Sequence, residues 1–175
     1  MKDLGELRFF LGIEFARSKA GILLNRWKYA LDLISDSGLG GAKPVSTPLE
    51  VHQKLTLVEF DEATKTKDDE DIILTDAEPY QRLVGRLLYL TITRPDIAFV
   101  VQVLIQFMHK PKRSHMNATL RVIRYVKNAP GLGLLMSSTQ AHTLVAYCDS
   151  DWAAYSQSRK SVTGYIVKYG QSLIS

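Results

Sequence analysis

Hydrophobic positions along the chain change period twice, and the changes outline its organisation. Residues 7–15 (Leu-Arg-Phe-Phe-Leu-Gly-Ile-Glu-Phe) and 21–25 (Gly-Ile-Leu-Leu-Asn) are β-rich runs flanking turn residues 17–21, which predicts a β-hairpin. Gly12 inside the first run predicts a bulge or a close approach by another backbone or a ligand. Over residues 27–36 the period turns helical, with Trp27, Ala30, Leu31 and Ile34 at helical spacing and Gly38 placed as a C-cap. A second helix is predicted over about 78–92, with Leu83, Leu87 and Leu90 on one face, Val84 and Leu88 beside them and Asp76 near its start. Gly85 lowers its propensity, which predicts a tight helix crossing. A third begins at Thr93-Arg94-Pro95-Asp96, its body from Ile97 to Met108 almost wholly apolar. A fourth begins at Ser114 as N-cap and buries Met116, Leu120, Ile123 and Val126. Pro130 and Gly131 end it, and β-type runs return at 132–136, 144–149 and 165–169.

This order predicts an α+β fold: an N-terminal β-hairpin plus helix (1–49), an acidic loop or linker (50–77), a helical bundle (78–130) and a C-terminal β-sheet (131–175). Charge sharpens the division. The net charge is +4, yet residues 50–78 hold ten acids and three bases, while 79–130 hold nine bases and one acid, Asp96. A basic body can attract a polyanion, and it can equally be the solubilising surface of long helices. Arg113, Asn117, Arg121, Arg124 and Asn128 lie on the stripe opposite the apolar one. The acids at 68–71 lack the spacing of a calcium loop and read as solvated. Cys148 is the single cysteine, so no internal disulfide can form; Met1 to Glu6 lacks the apolar core of a signal peptide. An intracellular protein is expected, compartment unassigned, with no membrane partner, since no run of ~18 uncharged apolar residues occurs. His52, His109, His115 and His142 make no metal-ligand spacing with one another or with Cys148.

The tail carries the sharpest chemistry. Val145-Ala146-Tyr147-Cys148-Asp149-Ser150-Asp151-Trp152 is a strand that ends on acids, where a metal-dependent nuclease places its first carboxylate. Asp151 is expected in the turn that follows. Three further blocks stand upstream: Met1 to Glu14, Tyr80-Gln81-Arg82-Leu83-Val84-Gly85-Arg86-Leu87-Leu88-Tyr89-Leu90, and Thr93-Arg94-Pro95-Asp96-Ile97-Ala98-Phe99. Together and in this order, the blocks resemble copia-type LTR-retrotransposon Pol polyproteins, in the stretch from the palm edge of reverse transcriptase through thumb and connection into ribonuclease H.

The resemblance implies RNA-directed DNA polymerase and ribonuclease H as the parent activities, with Mg²⁺ as the parent's cofactor and none expected for this piece. It implies that Leu11, Gly12, Ile13 and Glu14 match the primer-terminus grip and that Asp149 matches the first ribonuclease H carboxylate and metal ligand. Two divalent ions ~3.5–4 Å apart need several converging carboxylates, because Mg²⁺ prefers hard oxygen ligands. The resemblance sets the polymerase aspartates before Met1 and the later ribonuclease H carboxylates after Ser175, so a piece without catalysis of its own is expected. The partners the resemblance implies are an RNA–DNA hybrid, held weakly and without sequence choice through backbone contacts of Arg113, Arg121, Arg124 and Lys127, or a related polymerase chain. Arg26 stands where the family tends to have Gln.

Overall fold

The computed structural model describes residues 5–50, 55–64, 71–151 and 161–174. The acids at 68–70 and the Trp152 to Lys160 stretch lie outside them. The fold is α+β, as expected, and it divides into two compact units: residues 1–25 with 133–175, and residues 26–132.

In the first unit the strands β1 (Phe9–Phe10), β2 (Ile13–Ser18), β3 (Gly21–Asn25) and β4 (Leu134–Ser137) form an antiparallel sheet in that order. The predicted hairpin is present as β2–β3, but the run 7–15 is not one strand. Phe10 pairs with Ile13, so Leu11 and Gly12 form a two-residue turn, with φ of 48° and 73°. Positive φ at both central positions is the type I′ geometry that matches strand twist. Gly12 is therefore a turn residue rather than a bulge. The run at 132–136, expected in a C-terminal sheet, instead gives β4, which joins β3. Glycines permit that approach: a Cβ on Gly21 would lie 2.0 Å from the Met136 carbonyl oxygen, and one on Gly133 would lie 2.1 Å from that of Leu24. The strands β5 (Leu144–Asp151), β6 (Val162–Tyr169) and β7 (Ser172–Leu173) form a second antiparallel sheet. The Ser137 amide donates to Ser172 Oγ at 2.8 Å between the two sheets.

The second unit is helical: α1 (Trp27–Asp36), α2 (Val58–Thr64), α3 (Glu78–Leu90), a 3₁₀ turn (Pro95–Ile97), α4 (Ala98–Ile105) and α5 (Arg113–Asn128). The helix α1 has the predicted bounds and closes as a Schellman motif, with Gly38 at φ 71° and the Gly38 and Leu39 amides donating to the Ser35 and Ile34 carbonyls. Its buried face is Ala30, Leu33 and Ile34, while Trp27 and Leu31 are exposed. These three join Tyr80, Val84, Leu87 and Leu90 of α3, Val101 and Leu104 of α4, and Val122, Ile123 and Val126 of α5 in one core. Each large apolar side chain so buried contributes roughly 1.5–3 kcal/mol. Tyr80 enters fully because its hydroxyl donates to the Leu104 carbonyl at 2.7 Å. Gly85 is exposed and a Cβ there would meet nothing within 4 Å, so no tight crossing uses it. The acidic stretch, read as a loop, holds α2, whose Val58 is buried. No helix of the described residues is long and apolar enough to cross a membrane.

Candidate nucleic-acid interface

The predicted backbone-binding stripe lies on α5. Arg113 is exposed in its first turn, but the other three bases are engaged within the chain. Lys127 Nζ donates to the carbonyls of Leu39, Gly40 and Ala42, and Arg124 Nε donates to that of Lys43 at 2.8 Å. Arg121 pairs with Glu50 at 2.8 Å and donates to Thr47 Oγ1 at 3.0 Å. Farther toward the helix start, His115 Nε2 meets the Thr56 carbonyl, and Lys112 Nζ meets Thr56 Oγ1 and Asp61. The described residues of 39–61 thus run antiparallel to α5, whose successive turns each hold them with a side chain. The basic bundle and the acidic stretch, which look like opposite ends of a charge asymmetry, neutralise one another here.

At the start of α5 this packing becomes a buried polar cluster. Lys112 is the N-cap residue and its ammonium lies 2.6 Å from Asp61 and 3.0 Å from Asp71. Burial pulls the ammonium pKa down, but its hydrogen bonds to the two carboxylates outweigh this and hold it above the ordinary lysine value. Asp71 accepts from the amide and the hydroxyl of Ser114, both at 2.8 Å. Burial opposes its charge, yet Ser114 and Lys112 together keep its pKa below the usual carboxylate range. Ser114, expected to cap the helix itself, is instead capped from Asp71, 43 positions upstream. His115 Nδ1 accepts from the Lys112 amide at 3.0 Å, so Nε2 carries the proton and donates to Thr56. Burial first, and the Lys112 charge second, push its pKa down to about 4. Phe107 stacks on the ring, centroids 3.9 Å apart.

The Thr-Arg-Pro-Asp block is also internal. Arg94 is 2% exposed, with Nε and Nη2 on the two Asp96 carboxylate oxygens at 2.9 and 2.7 Å and Nη1 on the Ala129 carbonyl at 3.0 Å. The guanidinium also lies over the Tyr125 ring. A planar fork that satisfies a carboxylate and a helix-end carbonyl at once ties the α3–α4 turn to the end of α5. Arg26 is likewise buried, 3.6 Å above the Tyr89 ring, and donates to the Tyr89 carbonyl.

The remaining predicted residues are in the first unit. Leu11 is 69% exposed at its strained turn, beside exposed Phe9 and Phe10. Gly12 shares the turn, Ile13 pairs with Phe10, and Glu14 pairs with Phe9 on one side and Asn25 on the other. A non-glycine residue at positive φ costs roughly 1–2 kcal/mol, and such strain concentrates at functional sites. Asp149 is exposed on β5 opposite Gly164, where a Cβ would meet nothing within 4 Å. Asp151 pairs with Val162 in the same ladder, so it belongs to the strand rather than the turn. Tyr147 (60% exposed) lies along one face with Asp149, and Leu144 (67%) and Tyr165 (63%) occupy the other. Among the described residues no group of three or more His, Cys, Asp or Glu side chains could hold a metal ion.

Comparison with known proteins places these elements. The chain is 40% identical over 175 residues to the retrovirus-related Pol polyprotein from transposon RE1 of Arabidopsis thaliana, a match that covers all of this chain and 11% of that polyprotein. It is 37% identical over 175 residues to an uncharacterized mitochondrial protein of the same plant, covering 68% of it. The chain belongs to the copia-type retrotransposon Pol polyproteins. A third relative, the Pol polyprotein from transposon TNT 1-94 of Nicotiana tabacum, is 33% identical over 178 residues, with 13% of its length covered. The chain thus spans about a tenth of the Pol polyproteins it matches. No family model matches it, and no solved structure matches it. Within this Pol segment, the cluster of Lys112, Asp61, Asp71 and His115, and the exposed ion-pair partners Glu50 and Glu59, are what the sequence pattern did not bring together. The visible clue was the opposed charge of neighbouring segments, but nothing in a linear pattern pairs residue 71 with residue 112.

Proposed function

We propose that the chain is the part of a retrotransposon reverse transcriptase–ribonuclease H that links the polymerase edge to the nuclease, and that its own contribution is backbone contact with an RNA–DNA hybrid, without catalysis. The match of the whole chain to Pol polyproteins carries this reading. In it, the exposed Leu11–Gly12 turn, with Ile13 and Glu14, approaches a primer terminus. Asp149 supplies the first carboxylate of a Mg²⁺-dependent nuclease site whose other ligands are not among the described residues. The cations Arg113, Arg121, Arg124 and Lys127 face the duplex backbone. Arg113 is the foremost of these, because Arg124 and Lys127 hold main-chain carbonyls of 39–43.

Binding of the chain to an RNA–DNA hybrid duplex at low and moderate salt tests the proposal. Phosphate contact predicts measurable affinity at low salt that falls steeply as salt rises and does not depend on sequence. Affinity indifferent to salt, or none at low salt, contradicts it. Mg²⁺-dependent cleavage of the hybrid that is lost in Asp149→Asn would contradict the absence of catalysis.

A second reading, docking on a related polymerase chain, is favoured by the apolar side chains exposed on both faces of β5–β6. A chain that stays monomeric in the presence of an intact polymerase chain would count against it.

A further inference from the structure

The ion pairs along α5 are of two kinds. Lys112, Arg124 and Lys127 hold half-buried carboxylates or main-chain carbonyls, and releasing them would strip the helix of its packing. The pairs Arg121–Glu50 and Lys110–Glu59, at 2.8 and 2.9 Å, differ. Both carboxylates stand well out in solvent, 61% and 58% exposed. Ion pairs of that exposure are weak and readily screened, so each glutamate can leave without unfolding anything. A phosphate oxygen offers the same cation the same charge-assisted hydrogen bond.

We propose that Glu50 and Glu59 are built-in counterions that compete with nucleic-acid phosphates for Arg121 and Lys110, setting the strength and salt dependence of this face. The proposal rests on the hybrid-binding reading above and adds its regulation. Arg113, exposed between the two pairs in sequence, is the cation that needs no exchange. The backbone segment 39–50 stays in place throughout, held by Lys127, Arg124 and the bond from the Val45 amide to the Arg124 carbonyl. A partner anion thus finds a preformed row of cations whose net charge is masked until it arrives.

The test compares the whole chain, the variant Glu50→Gln/Glu59→Gln, and the charge-matched control Asp32→Asn/Glu78→Gln, whose acids have exposed positions on other helices. Binding to an RNA–DNA hybrid duplex is measured across salt, with circular dichroism confirming equal helix content. Two unmasked cations predict a log–log salt slope steeper by about two, with affinity raised roughly threefold or more at low salt, in the Glu50/Glu59 variant over the control. Equal binding by variant and control overturns the competition and leaves the hybrid reading standing. Binding by none of the three overturns both. A readout independent of affinity is amide exchange at Val45, which stays slow on adding duplex if only the glutamates leave. Fast exchange there would mean that the segment itself is displaced, contrary to the proposal.

Discussion

The helical unit and the β5–β7 sheet treat their polar residues in opposite ways. In the helical unit, Arg94, Asp96, Lys112 and Asp71 all end in contacts with the chain itself. In the sheet, Asp149 faces solvent opposite a glycine, among apolar side chains exposed on both faces. A polar block can build a fold without forming an exposed site. The Thr-Arg-Pro-Asp side chains staple the fold, whereas Cys-Asp-Ser-Asp leaves a carboxylate that stabilises nothing visible around it.

Substitutions on the two sides of that contrast carry different costs. The largest effect is expected for Lys112→Ala, which leaves Asp61 and Asp71 charged and half-buried without their partner; roughly 3–5 kcal/mol of stability should be lost, read by urea unfolding of the helical signal. Acid comes next. The unfolded chain protonates its histidine near the ordinary value of 6.5, while folded His115 stays neutral down to about 4. Between those values the unfolded state binds the extra proton, so stability falls with pH, by on the order of 3 kcal/mol in all. Asp71 acts in the same direction, because its depressed folded-state pKa contributes stability that is lost as pH falls through it. His115→Gln should flatten the part of the profile between pH 6.5 and 4. A flat profile in the unmodified chain would remove the buried neutral histidine from the account.

Smaller gains are expected at two surface positions. Leu11→Asn should stabilise the first sheet by roughly 1 kcal/mol, since asparagine tolerates positive φ and Asn-Gly is the preferred type I′ pair. The same variant should weaken hybrid binding if the exposed leucine is used there, which separates strain kept for function from strain that is incidental. Gly85→Ala should add about 0.5–1 kcal/mol, because the site is open and helical. A loss of stability would restore the tight crossing that helix propensity suggested.

Much of the fold was legible wherever a local period sufficed. The α1 bounds, the Gly38 cap, the starts of α3 and the 3₁₀ turn, and the β2–β3 hairpin all follow from spacing and turn chemistry within a dozen residues. What was not legible depends on distant partners. The run at 132–136 was recognised as a strand, but only pairing places it on β3. The short α2 was hidden because its acids suggested solvent, while their counterions come from 110 and 112. The candidate interface shows the same limit. Helical spacing correctly put Arg121, Arg124 and Lys127 off the apolar stripe, and could not say that residues 39–50 lie on them.

The central contrast is tested most directly by unfolding Arg94→Ala and Asp149→Ala side by side in urea, following helix content for the first and near-ultraviolet tyrosine signal as well for the second. Arg94→Ala removes the paired bonds to Asp96, the donor to the Ala129 carbonyl and a side chain only 2% exposed, and should lose about 2–3 kcal/mol. Asp149→Ala should stay within about 0.5 kcal/mol of the parent, as exposed positions without structural partners do. A stable Arg94→Ala chain, or an Asp149→Ala chain that unfolds early, would contradict the division between a block that builds the fold and a block whose carboxylate the fold does not use.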